Sequence, residues 1–196
     1  MKNISSLLLL AILLFCSSKG FAQGNINGSI QNELGANVEH VKVTLNGEIN
    51  QTITTDETGQ YTFTNLPAGD YNITLEKQIA SLNGVSTLDV VLVIRHILGV
   101  RELDSPYKTL AADVNSDGFV TSYDVVKMRQ LIVGMIPEFN TSWKFIDKSI
   151  ELPDSPYASI PNPTSYELTL TGNESKTIDF VGIKVGDVSE NAIASE

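Results

Sequence analysis

The sequence predicts an α+β chain, and three observations carry that expectation. Between residues 25 and 76, short runs alternate apolar with polar residues and are separated by turn signals, the pattern of half-buried strands. From Asn83 to Met135 the period becomes helical and a segment repeats at an offset of 35 residues. After Ser142 the strand pattern returns. The expected architecture is a small N-terminal β-sandwich, then a paired loop-helix unit, then C-terminal strands able to join a sheet. The expected boundaries are 1–22, 23–77, 78–146 and 147–196.

Residues 1–22 read as a secretory signal: Lys2 in a short charged start, the apolar run Leu7 to Phe15, and Gly20-Phe21-Ala22 as a small-x-small cleavage site. A run of nine apolar residues is too short to span a bilayer. Cys16, the one cysteine, lies inside this segment, and Phe15 stands where a lipid-anchored chain has a small residue. The exported chain would therefore carry no disulfide, and a small exported domain without disulfides often uses a metal as its staple. Without Lys2 and Lys19 there are 11 basic and 23 acidic residues, a net charge of −12. That balance, with no basic patch, argues against nucleic acid as a partner. Secretion or cell-surface display is the expected location.

The first strands expected are Ile26–Ile30, His40–Leu45, Ile49–Ile53, Gln60–Phe63 and Tyr71–Leu75. Leu34-Gly35, Asn46-Gly47, Glu57-Thr58-Gly59 and Pro67-Ala68-Gly69-Asp70 supply the turns. The run Gly28…Leu34-Gly35…Val41…Val43…Leu45, then Thr55-Asp56-Glu57-Thr58-Gly59-Gln60-Tyr61-Thr62-Phe63…Leu66-Pro67-Ala68-Gly69-Asp70-Tyr71, resembles the carboxypeptidase regulatory-like family. That resemblance implies a transthyretin-like, carbohydrate-binding-like sandwich serving as a spacer or adhesion module. The segment is short for the family, so a strand is expected from elsewhere in the chain.

The helical part is organised around Asp113-Val114-Asn115-Ser116-Asp117-Gly118-Phe119-Val120-Thr121-Ser122-Tyr123-Asp124. Oxygen-bearing side chains fall at positions 1, 3, 5, 9 and 12 of this stretch, and glycine at 6. Ca²⁺ takes six to eight oxygens at about 2.3–2.6 Å from such a loop, with a backbone carbonyl at the seventh position. Asp113, Asn115, Asp117 and Asp124 are the expected side-chain ligands, Phe119 gives its carbonyl, and Thr121 orients a water. The competing reading is a solvated loop of Asx-turns. A helix follows at once, with apolar residues at helical spacing.

That helix, Thr121 to Gly134, repeats Ser86 to Gly99, with identities at the aspartate, both valines, the isoleucine and the glycine. Leu88, Val91, Leu92, Ile94 and Leu98 are expected to pack against Tyr123, Val126, Met128, Leu131 and Ile132. The paired units resemble the type I dockerin family, in the variety common in Bacteroidota surface proteins. The resemblance rests also on Arg95-His96-Ile97-Leu98-Gly99, Leu103-Asp104-Ser105-Pro106-Tyr107-Lys108 and Asn140-Thr141-Ser142-Trp143, and spans roughly residues 80 to 146. It implies two EF-hand-like Ca²⁺ loops, a cohesin-like or other extracellular protein partner, and a place in polysaccharide catabolism or surface adhesion. Carried over by motif, the partner-contacting residues are Thr87, Leu88, Ser122 and Tyr123, with Arg95, Arg129 and Gln130.

The first loop departs from the pattern. Ile79-Ala80-Ser81-Leu82 supplies no carboxylate, and Asn83 and Asp89 alone cannot complete a site. Gly186-Asp187-Val188-Ser189-Glu190-Asn191 reads like the opening of such a loop with no helix after it. One expectation is that Asp187, with Ser189 or Asn191, folds back beside Asn83 and Asp89 to complete a split site. The other is a frayed acidic tail.

The remaining strands expected are Ser142–Ile146, Tyr166–Leu170 and Ile178–Val185, with an irregular linker from Pro153 to Pro163. Trp143 suits a core better than a carbohydrate platform, and Tyr61, Phe63 and Tyr71 also sit at core positions. Direct glycan binding by the sandwich, and a purely structural spacer docked on its own chain, are the other two function classes. Catalysis is not expected. His40, read as lying on a strand, and His96, late on a helix, lack zinc spacing, and no nucleophile elbow, phosphate loop or dinucleotide fingerprint is present.

Overall fold

The computed structural model describes residues 23–153 and 164–194; the expected signal segment and most of the Pro153–Pro163 linker lie outside them. Five strands come first: β1 (Gln23–Gln31), β2 (Lys42–Gly47), β3 (Gln51–Thr54), β4 (Gln60–Pro67) and β5 (Gly69–Glu76). Three helices follow, α1 (Thr87–Ile97), α2 (Pro106–Ala112) and α3 (Ser122–Ile132). Four more strands end the described chain: β6 (Trp143–Asp147), β7 (Tyr166–Leu170), β8 (Ser175–Thr177) and β9 (Phe180–Lys184).

The two ends share both sheets. One sheet runs β4-β1-β9-β6, with β8 also paired to β1, and the other runs β3-β2-β5-β7. The strand missing from the short N-terminal segment is thus supplied by C-terminal strands. β8 and β9 run parallel to β1 (Ile26 opposite Lys176, Ile30 opposite Phe180), and β7 runs antiparallel to β5. Such pairings join residues about ninety to 150 positions apart, so no local pattern could specify their partners. Gly28 lets Ile178 approach β1: a Cβ there would lie 1.8 Å from the Ile178 carbonyl oxygen.

Between the sheets, Ile26, Ile30, Val43, Leu45, Phe63, Ile73 and Phe180 are fully buried. Tyr61, Tyr71 and Trp143 join them, as their alternation predicts. β6 and β9 are covered on both faces. Phe145 and Phe180 point into the sandwich, whereas Ile146, Val181 and Ile183 form a second core with the helices. A strand covered on both sides is mostly apolar, which explains Phe180 to Ile183 and Val185; the buried Lys184 breaks the run and donates to the carbonyls of Ser81 and Val185.

The helices pack differently from the expected register. α1 turns Val90, Val93 and His96 inward, and α3 turns Val125, Met128 and Leu131 inward. Leu88, Val91, Leu98, Tyr123 and Val126, expected in the contact, are exposed. The surface under β6 and β9 takes the faces centred on Val93 and Met128, and with them only part of each apolar set. α2 was not expected, although Ser105-Pro106 is a strong start signal: the Ser105 hydroxyl accepts the Tyr107 N–H, and proline occupies the first turn. His40 is exposed, with a φ of 58°, just before β2 rather than on it. His96 is buried, and its Nδ1 accepts the Leu103 N–H at 3.2 Å.

Candidate metal centre

The loop between α2 and α3 is tied by its own carboxylates. Asp113 accepts the Asp117 N–H on Oδ1 and the Gly118 N–H on Oδ2, each at 3.1 Å. Asp124 Oδ1 accepts the N–H groups of Val114 and Asn115 at 3.0 and 3.3 Å. Its Oδ2 accepts the Thr121 N–H at 2.8 Å and the Thr121 hydroxyl at 3.2 Å, closing a capping box at the start of α3. Asp117 Oδ1 accepts the Phe119 N–H, and its Oδ2 takes the Asn115 amide at 2.7 Å. Gly118 holds a φ of +88°, the left-handed turn its position requires.

Asp113 and Asp124 are 3% and 0% exposed, whereas Asp117 is exposed. Burial raises the Asp124 carboxyl above its ordinary value, and the nearby Asp113 charge adds to the rise. From β6, the buried Lys144 reaches under the loop, donates to the carbonyls of Leu110 and Asp113, and stands 3.5 Å from Asp113 Oδ2. Desolvation lowers the Lys144 ammonium, and Asp113 opposes that shift. Sequence reasoning missed Lys144, because nothing local says which strand runs beneath the loop.

Every side-chain donor in this loop is an oxygen, the chemistry of a hard cation. Each oxygen of Asp113 and Asp117 receives a single N–H from the loop, which leaves an acceptor position on Asp113 Oδ1 and both Asp117 oxygens, while Asp113 Oδ2 also faces the Lys144 ammonium. Both Asp124 oxygens already receive two donors. Thr121, expected to orient a water, is the N-cap of α3, its hydroxyl accepting the Tyr123 N–H at 3.2 Å. Among the described residues no three His, Cys, Asp or Glu side chains are grouped as a metal cluster. Three carboxylates repel, and each is drawn to its own backbone N–H groups.

The first loop is completed by the far end of the chain. Asp89 Oδ1 accepts the N–H groups of Val188 and Ser189 at 3.1 and 2.9 Å. Its Oδ2 accepts the N–H and hydroxyl of Ser86, the N-cap of α1. Asp187 accepts Asn191 N–H on Oδ1 and Ala192 N–H on Oδ2, at 3.2 and 2.8 Å. Bond for bond, Asp187, Val188, Ser189, Asn191 and Ala192 stand where Asp113, Val114, Asn115, Asp117 and Gly118 stand in the contiguous loop. Glu190 and Ser116 share the left-handed turn, with φ of 58° and 60°. Ile193 then meets Asn83, whose side chain accepts its N–H at 3.1 Å and donates to its carbonyl at 2.9 Å. Asn83 is thus a clamp on the main chain of Ile193, and Asp187 and Asp89 come together without it.

The residues expected to meet a partner lie on the outer side. Thr87, Leu88, Arg95, Ser122, Tyr123 and Arg129 are exposed and Gln130 is half-buried. Beside them Val91 and Leu98 on the first helix, and Val126 and Val133 on the third, are exposed at matching positions of the repeat. Among the described residues no helix is long and apolar enough to cross a membrane.

The structure is a β-sandwich joined to a pair of acidic loop-helix units. The family model described as "Carboxypeptidase regulatory-like domain" matches residues 25–91, and that described as "Dockerin type I domain" matches residues 83–132. Both are non-catalytic module types, and dockerin domains are calcium binders with cohesin partners. No curated protein matches. Among solved structures, the Bacillus anthracis TIE protein aligns over 84% of this chain at 11% identity and a TM-score of 0.39. Klebsiella pneumoniae 5-hydroxyisourate hydrolase aligns over 26% at 29% identity (TM-score 0.24). A putative carbohydrate binding protein from Bacteroides uniformis aligns over 29% at 22% identity (TM-score 0.25). The alignments span 17%, 56% and 30% of those three proteins respectively.

Proposed function

We propose that this chain is a secreted or surface-displayed, non-catalytic module that binds Ca²⁺ and holds a cohesin-like protein domain outside the cell, in polysaccharide degradation or surface adhesion. One observation carries the reading. In the segment matched by the dockerin model, a twelve-residue loop sets oxygen donors at calcium-loop positions and ends on the N-cap and third residue of α3. Asp113, Asn115 and Asp117 would hold the ion with the Phe119 carbonyl, and Asp124 would share its oxygens between the ion and its N–H donors. The bound ion supplies positive charge where acidic side chains crowd. The protein's own part is to fix the loop, through Asp124 and Gly118, and to orient α3.

The partner would meet the outer faces of α1 and α3. Leu88 and Tyr123 are about half exposed at equivalent positions, and Arg95 and Arg129 flank them. Large apolar side chains clustered on a surface mark a docking area. The test is capture of the chain by immobilised cohesin-type domains, with millimolar calcium and with EGTA. Capture that needs calcium and is lost in the paired variant Leu88→Ala/Tyr123→Ala supports the reading; no capture from a broad cohesin panel refutes it.

One observation favours a second reading, a calcium-stapled spacer. The helices share a core with Ile146, Val181 and Ile183 of the sandwich strands, so the unit already docks on its own chain. That reading predicts a large calcium-dependent gain in melting temperature with no protein partner. Tyr61, Phe63, Tyr71 and Trp143 are buried, as their positions in the sequence suggest, so none of them offers the exposed aromatic platform that direct glycan binding would use.

A further inference from the structure

We propose that Lys144 is a built-in counter-ion of the acidic loop, one that keeps the loop folded without metal and weakens Ca²⁺ binding there. The inference rests on the calcium reading of residues 113–124. It concerns a residue outside the matched dockerin segment, which ends at residue 132. Three observations carry it. The Lys144 ammonium has three N–H donors, and three acceptors meet them: the Leu110 carbonyl at 2.9 Å, the Asp113 carbonyl, and Asp113 Oδ2 at 3.5 Å. The Lys144 and Asp113 side chains are 1% and 5% exposed, so salt and water screen this pair little. Each other ion pair among the described residues leaves both side chains 20% exposed or more. Lastly, Lys144 is held by β6, where it stands opposite Ile183 of β9, so the sandwich fixes its place and the loop does not.

One carboxylate therefore serves two cations. Asp113 is the first expected metal ligand and also the partner of Lys144. An ion taken up by Asp113 would face a fixed ammonium across that carboxylate, and like charges repel. Without the ion, Lys144 offsets part of the repulsion among Asp113, Asp117 and Asp124. The loop is then ordered before metal arrives, and calcium adds less to its stability than it would to carboxylates alone. Lys184, buried on the neighbouring strand, shows the contrast: its ammonium goes to the carbonyls of Ser81 and Val185, away from this loop.

Calorimetric calcium titration of the full chain tests this, with Lys144→Met, Lys144→Gln and, as the control for losing a buried ammonium, Lys184→Met. Asp113→Ala identifies the loop's own site. Both Lys144 variants should bind there at least about tenfold more tightly than the parent, since a like charge a few ångströms from the ion has gone. Their melting temperatures in EGTA should fall, and calcium should raise them by more than it raises the parent's. Lys184→Met should bind calcium as the parent does. A lysine with only a structural part would lower the melting temperature without tightening the site. Where neither Lys144 variant folds in EGTA, hydrogen exchange in the parent decides: the amides of Asp117 and Gly118 should already be protected in EGTA. Unchanged or weaker binding in both Lys144 variants overturns the proposal and leaves the calcium reading standing. So do Asp117 and Gly118 amides that exchange in the metal-free parent as fast as in an unfolded chain. No binding by the parent or by either Lys144 variant overturns both.

Discussion

Asp124→Asn separates a carboxylate that braces the protein from one that serves only an ion. The buried Asp124 side chain accepts four bonds, two on each oxygen, from Val114 N–H, Asn115 N–H, Thr121 N–H and the Thr121 hydroxyl. Asparagine keeps one oxygen and turns an NH₂ group towards two of those donors, so two bonds are lost and donors face donors. Each buried group left without a partner costs about 1–3 kcal/mol. The carboxylate also favours the positive end of α3 by about 0.3–1 kcal/mol. Desolvation, which raises the Asp124 carboxyl, offsets part of the loss. The net expectation is destabilisation by about 2–3 kcal/mol, or about 5–10 °C in melting temperature for a chain of this length. Asp124→Ala should lose more, about 4 kcal/mol. Thermal melts by circular dichroism in EGTA and in millimolar calcium give the answer. The drop must appear in EGTA, because these bonds are the protein's own. An Asp124→Asn chain that melts with the parent in EGTA, and falls behind only in calcium, refutes this account.

Three further outcomes follow from the geometry. Gly28→Ala should prevent β8 from lying beside β1, because its Cβ would meet the Ile178 carbonyl at 1.8 Å; a loss above about 3 kcal/mol in urea titration is expected, and a wild-type midpoint would contradict the pairing. Leu88→Ala/Tyr123→Ala should leave the melting temperature within about 2 °C of the parent, since exposed side chains away from special features contribute under about 0.5 kcal/mol; a large drop would mean the outer faces are packed. Lys184, carried down from 10.5 to about 8 by burial, gives a pH signature. Between those values the unfolded chain binds the extra proton, so stability should rise with pH above 8, by up to about 2 kcal/mol before pH 10. Beyond pH 10 the buried Tyr61 and Tyr166 hydroxyls, raised above their usual value, reverse the slope. Melts of Lys184→Met should rise less steeply than the parent's from pH 8 to 10, burial of Lys144 and Lys77 supplying the remaining rise; a slope equal to the parent's would assign the effect elsewhere.

What the sequence determined by itself was local. Alternation placed the strands, the 35-residue repeat placed α1 and α3, and the spacing from Asp113 to Asp124 marked the loop, because strands, helices and chelating turns are set by neighbours within a dozen residues. The likeness of Gly186–Asn191 to Ala112–Asp117 pointed at the split loop, though not at the Asn83 clamp. Tertiary structure alone decided the rest. β9 joined β1 in parallel, Lys144 came under Asp113, and the helices rotated so that Leu88 and Tyr123 faced out. Each of these joins residues from distant parts of the chain, and the burial that stabilises such contacts depends on shape and area rather than on any order in the sequence.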